Sequence, residues 1–364
     1  MKRGAALQNL TGAIVEICRA GLPPDELRAR VLPRLRRAVP FDAAFWTTVD
    51  PATLLFTQPH QEEIAPETIP YFIENEFLGD DVNKWAALAR GREGVRTLAG
   101  ATGGDLAASA RYRDIFRPLG LGDELRAVLR VGGACWGDMC LHREAGVPFS
   151  KDEVLYVRRL APHLAEAIRA GLLLSSAAPG GAGPREPGLL VVLPDGSLGS
   201  MTDAGARWLE ELGSAGLPTE IRALAATLGR VGAGPPRLRL RTRAGRWAVL
   251  HASRLPTAGA DAVAVIIEEP SPAELAPLLM LAYGLTSQEQ AVTTLVCRGL
   301  STRELSGALH ITPNTLQDHL KSIFEKTGVS SRRELVATLL REQYLPRAMA
   351  GQTVGASGFF AAPG

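Results

Sequence analysis

Residues 312–326, TPNTLQDHLKSIFEK, gather side chains suited to reading the edge of a base pair. Taken as a helix at about 100° per residue, Leu316, Leu320 and Ile323 fall on one side. Asn314, Asp318, Lys321 and Glu325 fall on the other, with Thr315 and Gln317 flanking. An amide such as Gln317 pairs with adenine through two hydrogen bonds, and Lys321 reaches guanine or a phosphate. A carboxylate such as Asp318 accepts from the amino group of cytosine, and a good two-point base contact discriminates by about 1–3 kcal/mol. Asp318 raises the question, because an acid repels the phosphates that supply most nucleic-acid affinity. The same spacing offers another role, in which Asp318 caps or pairs with Lys321 three residues on and touches no base.

The elements that must hold this helix are written in capping signals. Thr286 with Glu289, Ser301 with Glu304 and Ser331 with Glu334 each form the Ser/Thr-x-x-Glu box that starts a helix. Thr312 followed by Pro313 marks another start, and Gly299 and Gly328 stand where helix ends favour a left-handed residue. The spacing predicts four short helices with one core, built from Val292, Leu295, Val296, Leu305, Leu309, Leu316, Leu320, Ile323, Leu335 and Leu339. Only His310, Ile311 and Thr312 join the second and third helices, the spacing of a helix-turn-helix.

This stretch resembles the carboxyl-terminal DNA-binding domain of the LuxR family. The match runs through LT-x-x-E, the GLS-x-x-EL start of helix two, T-x-x-T-L-x-x-H-L in helix three and the closing K-x-GV-x-SR-x-EL. The resemblance implies base contacts from Gln317, Asp318 and Lys321, and dimerisation through helix four; family members often carry a basic residue where Gln317 stands, which implies weaker phosphate attraction here. It also implies double-stranded operator DNA, a homodimer and RNA polymerase as partners. From Leu285 to Glu342 there are seven Lys/Arg and six Asp/Glu, little positive charge for a DNA binder. Amides at helix starts supplement it, so Ser301, Thr302 and Arg303, and Ser331, Arg332 and Arg333, are candidate phosphate contacts; Asn314 and Thr315 complete the expected surface.

The remaining chain must carry other domains, since 364 residues exceed one average domain. A formal charge of +2 gives no overall pull toward nucleic acid or membrane, so DNA binding has to be local. The start, MKRGAALQNLTGAIVEICRAG, does not read as a signal peptide, because Gln8, Asn9 and Glu16 interrupt it. Cys18, Cys135, Cys140 and Cys297 are few and scattered, which fits a reducing cytoplasm. No transmembrane helix and no membrane partner are expected.

Helical spacing is read over Leu7–Cys18 and over Pro24–Val39, where Pro33 predicts a kink or break. FDAAFWTTVD reads as a strand, LRAVLRV and WGDMCLHR as a hairpin, and Ser150 to about Leu174 as a long amphipathic helix. On Phe41–Ala44 and CWGDMCLHREAGVPFSKDEV this segment resembles a GAF-like sensory domain. GLLVVLPDGSLGSM reads as two strands about a Pro-Asp-Gly turn, followed by a helix capped near Thr202. PRLRLRTRAGRWAVLHASRL is a hairpin and DAVAVIIEE a buried last strand, an order similar to a PAS-like fold. The expected organisation is α+β and multidomain. It comprises 1–174 GAF-like, 175–187 flexible linker, 188–269 PAS-like, 270–284 helical linker, 285–345 an all-α four-helix helix-turn-helix domain, and 346–364 disordered tail.

Other candidate chemistry is thin. Cys135, Cys140 and His142 suggest a metal cluster without a fourth ligand, and packing is the simpler reading. His163 reads as a solvated residue. Arg237, Arg239, Arg241 and Arg243 read as a solvated strand edge, with contact to DNA, another domain or an acidic ligand as the alternative. No catalytic triad, phosphate loop or receiver-type acid cluster is present, and neither catalytic residues nor a cofactor nor a metal is assigned. The expected function is a cytoplasmic, sequence-specific transcriptional regulator whose amino-terminal modules sense a small-molecule ligand or partner, or dimerise. The helix over Ser150–Leu174 and a helical joint near Ala273–Tyr283 would transmit the change. The alternatives are an interaction protein with a degenerate helix-turn-helix, or an enzyme fused at the amino end.

Overall fold

The computed structural model describes residues 2–175, 186–213, 216–229, 236–257 and 260–339. Most of the expected linker and all of the expected tail lie outside the described residues. The chain divides into two compact units, one of residues 1–172 and 181–269, the other of residues 173–180 and 270–364.

The first unit opens with paired helices α1 (Lys2–Arg19) and α2 (Pro24–Ala38). Pro33 sits inside α2 without breaking it, so of the expected kink or break the break does not occur. Leu27, Val31, Leu32 and Leu35 are each at most 1% exposed. Burying four such side chains, at about 1.5–3 kcal/mol each, outweighs the roughly 3 kcal/mol cost of the proline.

Strands β1 (Ala43–Val49), β2 (Phe56–Glu62), β3 (Val95–Thr97), β4 (Leu121–Val131) and β5 (Ala134–Glu144) form an antiparallel sheet in the order β2-β1-β5-β4-β3. The β4–β5 hairpin turns on Gly132 and Gly133, both at positive φ, the two-residue turn that suits the strand twist. Helices α3 (Ile69–Phe77), α4 (Trp85–Arg90) and α5 (Leu98–Ala101) lie between β2 and β4 in sequence. Phe45, Phe56, Phe72 and Trp85 stack where α3 and α4 meet the sheet, with ring centroids 5.4–5.7 Å apart. Helix α6 (Lys151–Ser175) packs on the sheet, and a β-carbon at Gly137 would come within 2.9 Å of Ile168 Cδ1.

A second antiparallel sheet follows: β6 (Gly188–Val192), β7 (Leu198–Met201), β8 (Arg237–Arg241), β9 (Trp247–Thr257) and β10 (Ala260–Glu268), ordered β7-β6-β10-β9-β8. Helices α7 (Asp203–Leu212) and α8 (Thr219–Ala226) lie between β7 and β8, and Thr202 caps α7 by accepting from Gly205 N–H. The last strand is buried on one side only. Val265 and Ile267 are at 0% exposure while Ile266 between them is at 40%, because β10 is central to a sheet with one covered face.

The two sheets share one apolar cluster that runs from Phe45, Phe56 and Trp85 to Ile221, Leu224 and Leu250. Helix α8 packs against α3 and β2, and β8 against β2. The arginine stripe is therefore only in part a solvated edge: Arg237 and Arg243 are exposed, while Arg239 turns into the joint. Arg239 donates from Nε (2.8 Å) and Nη2 (2.6 Å) to the two oxygens of Asp50, which is 1% exposed. Arg241 stacks on Trp247 at 4.4 Å, and Arg243 hydrogen-bonds the Gly213 carbonyl. An edge strand that looked free in sequence touches the other sheet at β2.

The second unit contains α9 (Pro272–Ala282), α10 (Ser287–Cys297), α11 (Thr302–Leu309), α12 (Pro313–Thr327) and a helix over 332–339, α13. No described helix is long and apolar enough to cross a membrane.

Asp50→Ala should cost about 1–3 kcal/mol in urea unfolding, because it removes the buried carboxylate that accepts two bonds from the Arg239 guanidinium. Arg237→Ala, at an exposed position of the same strand, should change stability by less than about 0.5 kcal/mol.

Candidate nucleic-acid interface

The second unit folds as its capping signals require. Thr286 and Ser301 each form a complete box, with Glu289 and Glu304 returning to the cap amides. Thr312 accepts from Thr315 N–H, and Pro313 takes the first helical position of α12. The third box is only half as expected. Ser331 Oγ accepts from Glu334 N–H at 3.2 Å, but the Glu334 carboxylate takes the amide and hydroxyl of Ser330 instead. Gly299 and Gly328 have φ of +83° and +71°, as helix ends favour. His310 adopts the same left-handed conformation at φ 53°, ending α11 and setting the turn into α12.

Val292, Val296, Leu305, Leu316, Leu320, Ile323, Leu335 and Leu339 are buried together, while Leu295 and Leu309 are only partly covered. Their burial fixes which side of α12 faces outward. Asn314, Thr315, Gln317, Asp318, Lys321 and Glu325 are all exposed. The side chains of Asn314, Gln317, Asp318 and Lys321 make no hydrogen bond or ion pair with any described residue. The local pairing of Asp318 with Lys321 is thus not formed. A shallow groove beside this row is lined by Gln317, Lys321, Phe324, Glu325, Val329 and Ser330.

Two candidate phosphate-binding turns, distant in sequence, meet. Arg332 Nη2 donates to Thr302 Oγ1 at 3.1 Å, so the starts of α11 and α13 lie side by side. Ser301 and Arg303 are exposed there, and Ser331 and Arg332 partly so.

One contact escaped the sequence reading. Glu289 is 4% exposed and accepts from Ser322 Oγ at 2.7 Å and from Lys326 Nζ at 2.6 and 2.9 Å, both on α12. The same carboxylate accepts the Thr286 amide at 2.7 Å. Burial alone would push its pKa up, but the bonds from Lys326, Ser322 and Thr286 prevail and hold it at about 2. The signal was present as a Glu at a capping position and a Lys on α12, but only packing shows that they meet.

In the first unit the register of the ladders builds a buried polar cluster. Glu124 pairs with His142 across β4–β5, and Arg126 with Cys140. Glu124 is fully buried; Arg111 donates to Oε2 at 2.8 Å and Arg126 to Oε1 at 2.9 Å. Burial raises its pKa, yet the two guanidinium groups hold it at about 2. Arg126 continues to Glu76 at 2.6 Å and lies over the Trp85 ring at 4.0 Å. Cys140 Sγ and His142 Nε2 are 3.2 Å apart, as two residues on one strand face allow. Glu124, Cys140 and His142 place their ligand atoms within 4.8 Å of one another. The set does not suit a cation, because both Glu124 oxygens are taken by arginines and burial pushes the Cys140 thiol well above its ordinary pKa. Cys135 is turned to Gly137 and Asp138, and His163 is exposed.

Beside this cluster lies an apolar pocket walled by Phe45, Phe72, Ile115 and Phe116. His142 and Thr219 also line it.

Residues 283–339 match the family described as bacterial regulatory proteins, luxR family. No curated protein matches the chain. Among solved structures, the GAF domain of a phosphoenolpyruvate-protein phosphotransferase from Coxiella burnetii is 18% identical. It covers 45% of this chain and 93% of its own, with a TM-score of 0.34. SdiA of Escherichia coli is 12% identical over 88% of this chain and 91% of its own, at 0.28. A phage VqmA–DPO complex is 15% identical over 54% and 92%, at 0.24. None of the three superposes closely enough to carry an argument about this chain.

Glu289→Gln should destabilise the second unit by about 1–3 kcal/mol at neutral pH, read as faster hydrogen exchange of the α12 amides. The folded carboxyl titrates at about 2 against an ordinary 4.5, so its contribution is full above 4.5 and lost as pH falls toward 2. The difference between the two proteins should close over that window.

Proposed function

We propose that this chain, whose residues 283–339 are a luxR-family regulatory domain, binds operator DNA as a homodimer and regulates transcription from it. The observation that carries the reading is the outward row of α12. Asn314, Gln317, Asp318 and Lys321 are exposed and engaged by no other described residue, on a helix whose opposite side is core. Side chains of these types, left free at helical spacing, fit the edges of bases in a major groove. Thr315 stands beside them at the start of α12.

The turns at Ser301, Thr302 and Arg303 and at Ser331 and Arg332 supply phosphate contacts in this reading, and the Thr302–Arg332 bond joins them into one surface. Positive charge is low, and Glu289 consumes that of Lys326. Two copies on two half-sites would compensate by doubling the phosphate contacts. Asp318 lowers nonspecific attraction and favours a cytosine amino group at its position.

The reading divides the chain at the boundaries given above and assigns no reaction to it. The GAF-like and PAS-like modules sense a small molecule or partner and alter how the two DNA-reading helices are presented. RNA polymerase is the expected protein partner, and the cytoplasm the compartment.

Genomic fragments bound by the purified chain should yield an operator. On it, Lys321→Ala should weaken binding about tenfold and lower the slope of log affinity against log salt by about 1 if the contact is to phosphate. Asp318→Ala should relax preference at one base pair by about 1–3 kcal/mol and strengthen nonspecific binding. Absence of any salt-sensitive complex at low ionic strength would refute DNA binding, and an unchanged base preference would leave Asp318 without a reading role.

A further inference from the structure

We infer that the turn after β1 is a latch that joins the two amino-terminal modules into one cooperative body, so that a change of shape in either sheet is transmitted to the other across the joint. The inference goes beyond the DNA-binding reading and does not depend on it.

The latch is one carboxylate shared between a turn and a neighbouring sheet. Asp50 closes the turn between β1 and β2. Its amide donates to the Leu55 carbonyl at 3.0 Å, and its own carbonyl accepts the amides of Thr53 at 3.1 Å and Leu54 at 2.8 Å. Oδ1 accepts the Ala52 amide at 3.0 Å from inside the turn and Arg239 Nη2 at 2.6 Å from the second sheet. Oδ2 accepts Arg239 Nε at 2.8 Å and the Arg239 amide at 3.2 Å. Each oxygen therefore has two donors, and all but the Ala52 amide come from a single residue of β8. Because one of them is a backbone amide, the carboxylate fixes the strand as well as the side chain.

The turn itself is under tension. Leu54 holds φ at 60°, a left-handed conformation that leucine rarely adopts, and its side chain packs on the apolar cluster shared by the two sheets. Such a residue persists where its surroundings over-determine it. Arg239 of the second module, through Asp50, is part of what holds this turn.

Behind the latch the joint is apolar. Helix α8 packs against α3 and β2 of the first module and against β9 and β10 of its own. Ile221 and Leu224 of α8, both at 0% exposure, belong to one cluster with Phe45 and Phe56 of the first sheet. Modules joined by a small polar contact move independently, whereas a large apolar one couples them. Opening either module here exposes carbon of the other to water, so the cost of opening is shared.

Hydrogen exchange of the full chain, followed by mass spectrometry, tests this in the interior strands β5 and β10. Each is separated by one strand from the touching strands β2 and β8. Ile267→Val, in β10 at 0% exposure, should speed the slowest amides of β5 by the same factor as those of β10, about two- to tenfold. Asp50→Asn, which keeps the shape and removes the charge, should likewise speed the slowest amides of β10 as much as those of β5. Arg239→Gln, read in the same two strands, replaces it if the Asp50→Asn protein does not fold. Loss of protection confined to the module that carries the Ile267→Val or Asp50→Asn substitution would overturn the inference, as would loss confined to the turn around Asp50. None of these measurements involves DNA, so the result is separate from the fate of the operator reading.

Discussion

Glu289 holds the outward helix in place with a single carboxylate. One oxygen pair closes the cap of α10, accepts a serine on α12 and meets the ammonium of Lys326 a turn further on. Burying a carboxylate is expensive unless every lone pair is used, and here the donors come from two helices. The same bonds that make the charge tolerable fix the angle between α10 and α12. With that angle set and the core filled by Leu316, Leu320 and Ile323, the opposite row of α12 is exposed among the described residues. The polar side chains of that row are free because the apolar ones are not.

The first unit solves a similar problem deeper inside. Glu124 is fully buried, flanked by Arg111 and Arg126, and Arg126 passes the charge on to Glu76. These bonds tie the segments around residues 76 and 111 to the middle of the sheet. Burial keeps the neighbouring His142 neutral, and its Nδ1 has no hydrogen-bond partner among the described residues. The second module packs beside it, with α8 against α3 and β2 and with Asp50 bonded to Arg239.

Legibility in the sequence followed the range of the interaction. Caps at Thr286, Ser301 and Thr312, the left-handed Gly328 and the Gly132–Gly133 turn are decided within a few residues, and all were readable. The Ser331 box was half-readable, because the adjacent Ser330 competes for the same carboxylate. Strand β2 contains Pro59 and no clean alternation, and β3 has three residues. Both are edge strands, held by their neighbours rather than by their own pattern. Pro33 misled because the penalty is local and the compensating burial of α2 is not.

By itself the sequence determined the four-helix carboxyl-terminal domain, its family resemblance, and which residues of α12 share a side, since these depend on spacing and capping along a short stretch. Tertiary structure alone decided that Arg239 binds Asp50, that Thr302 meets Arg332, and that, among the described residues, the Asp318 side chain and His142 Nδ1 find no partner. Each of those outcomes depends on which group arrives from elsewhere in the chain to satisfy or ignore a charge, and no periodicity along the sequence encodes that arrival.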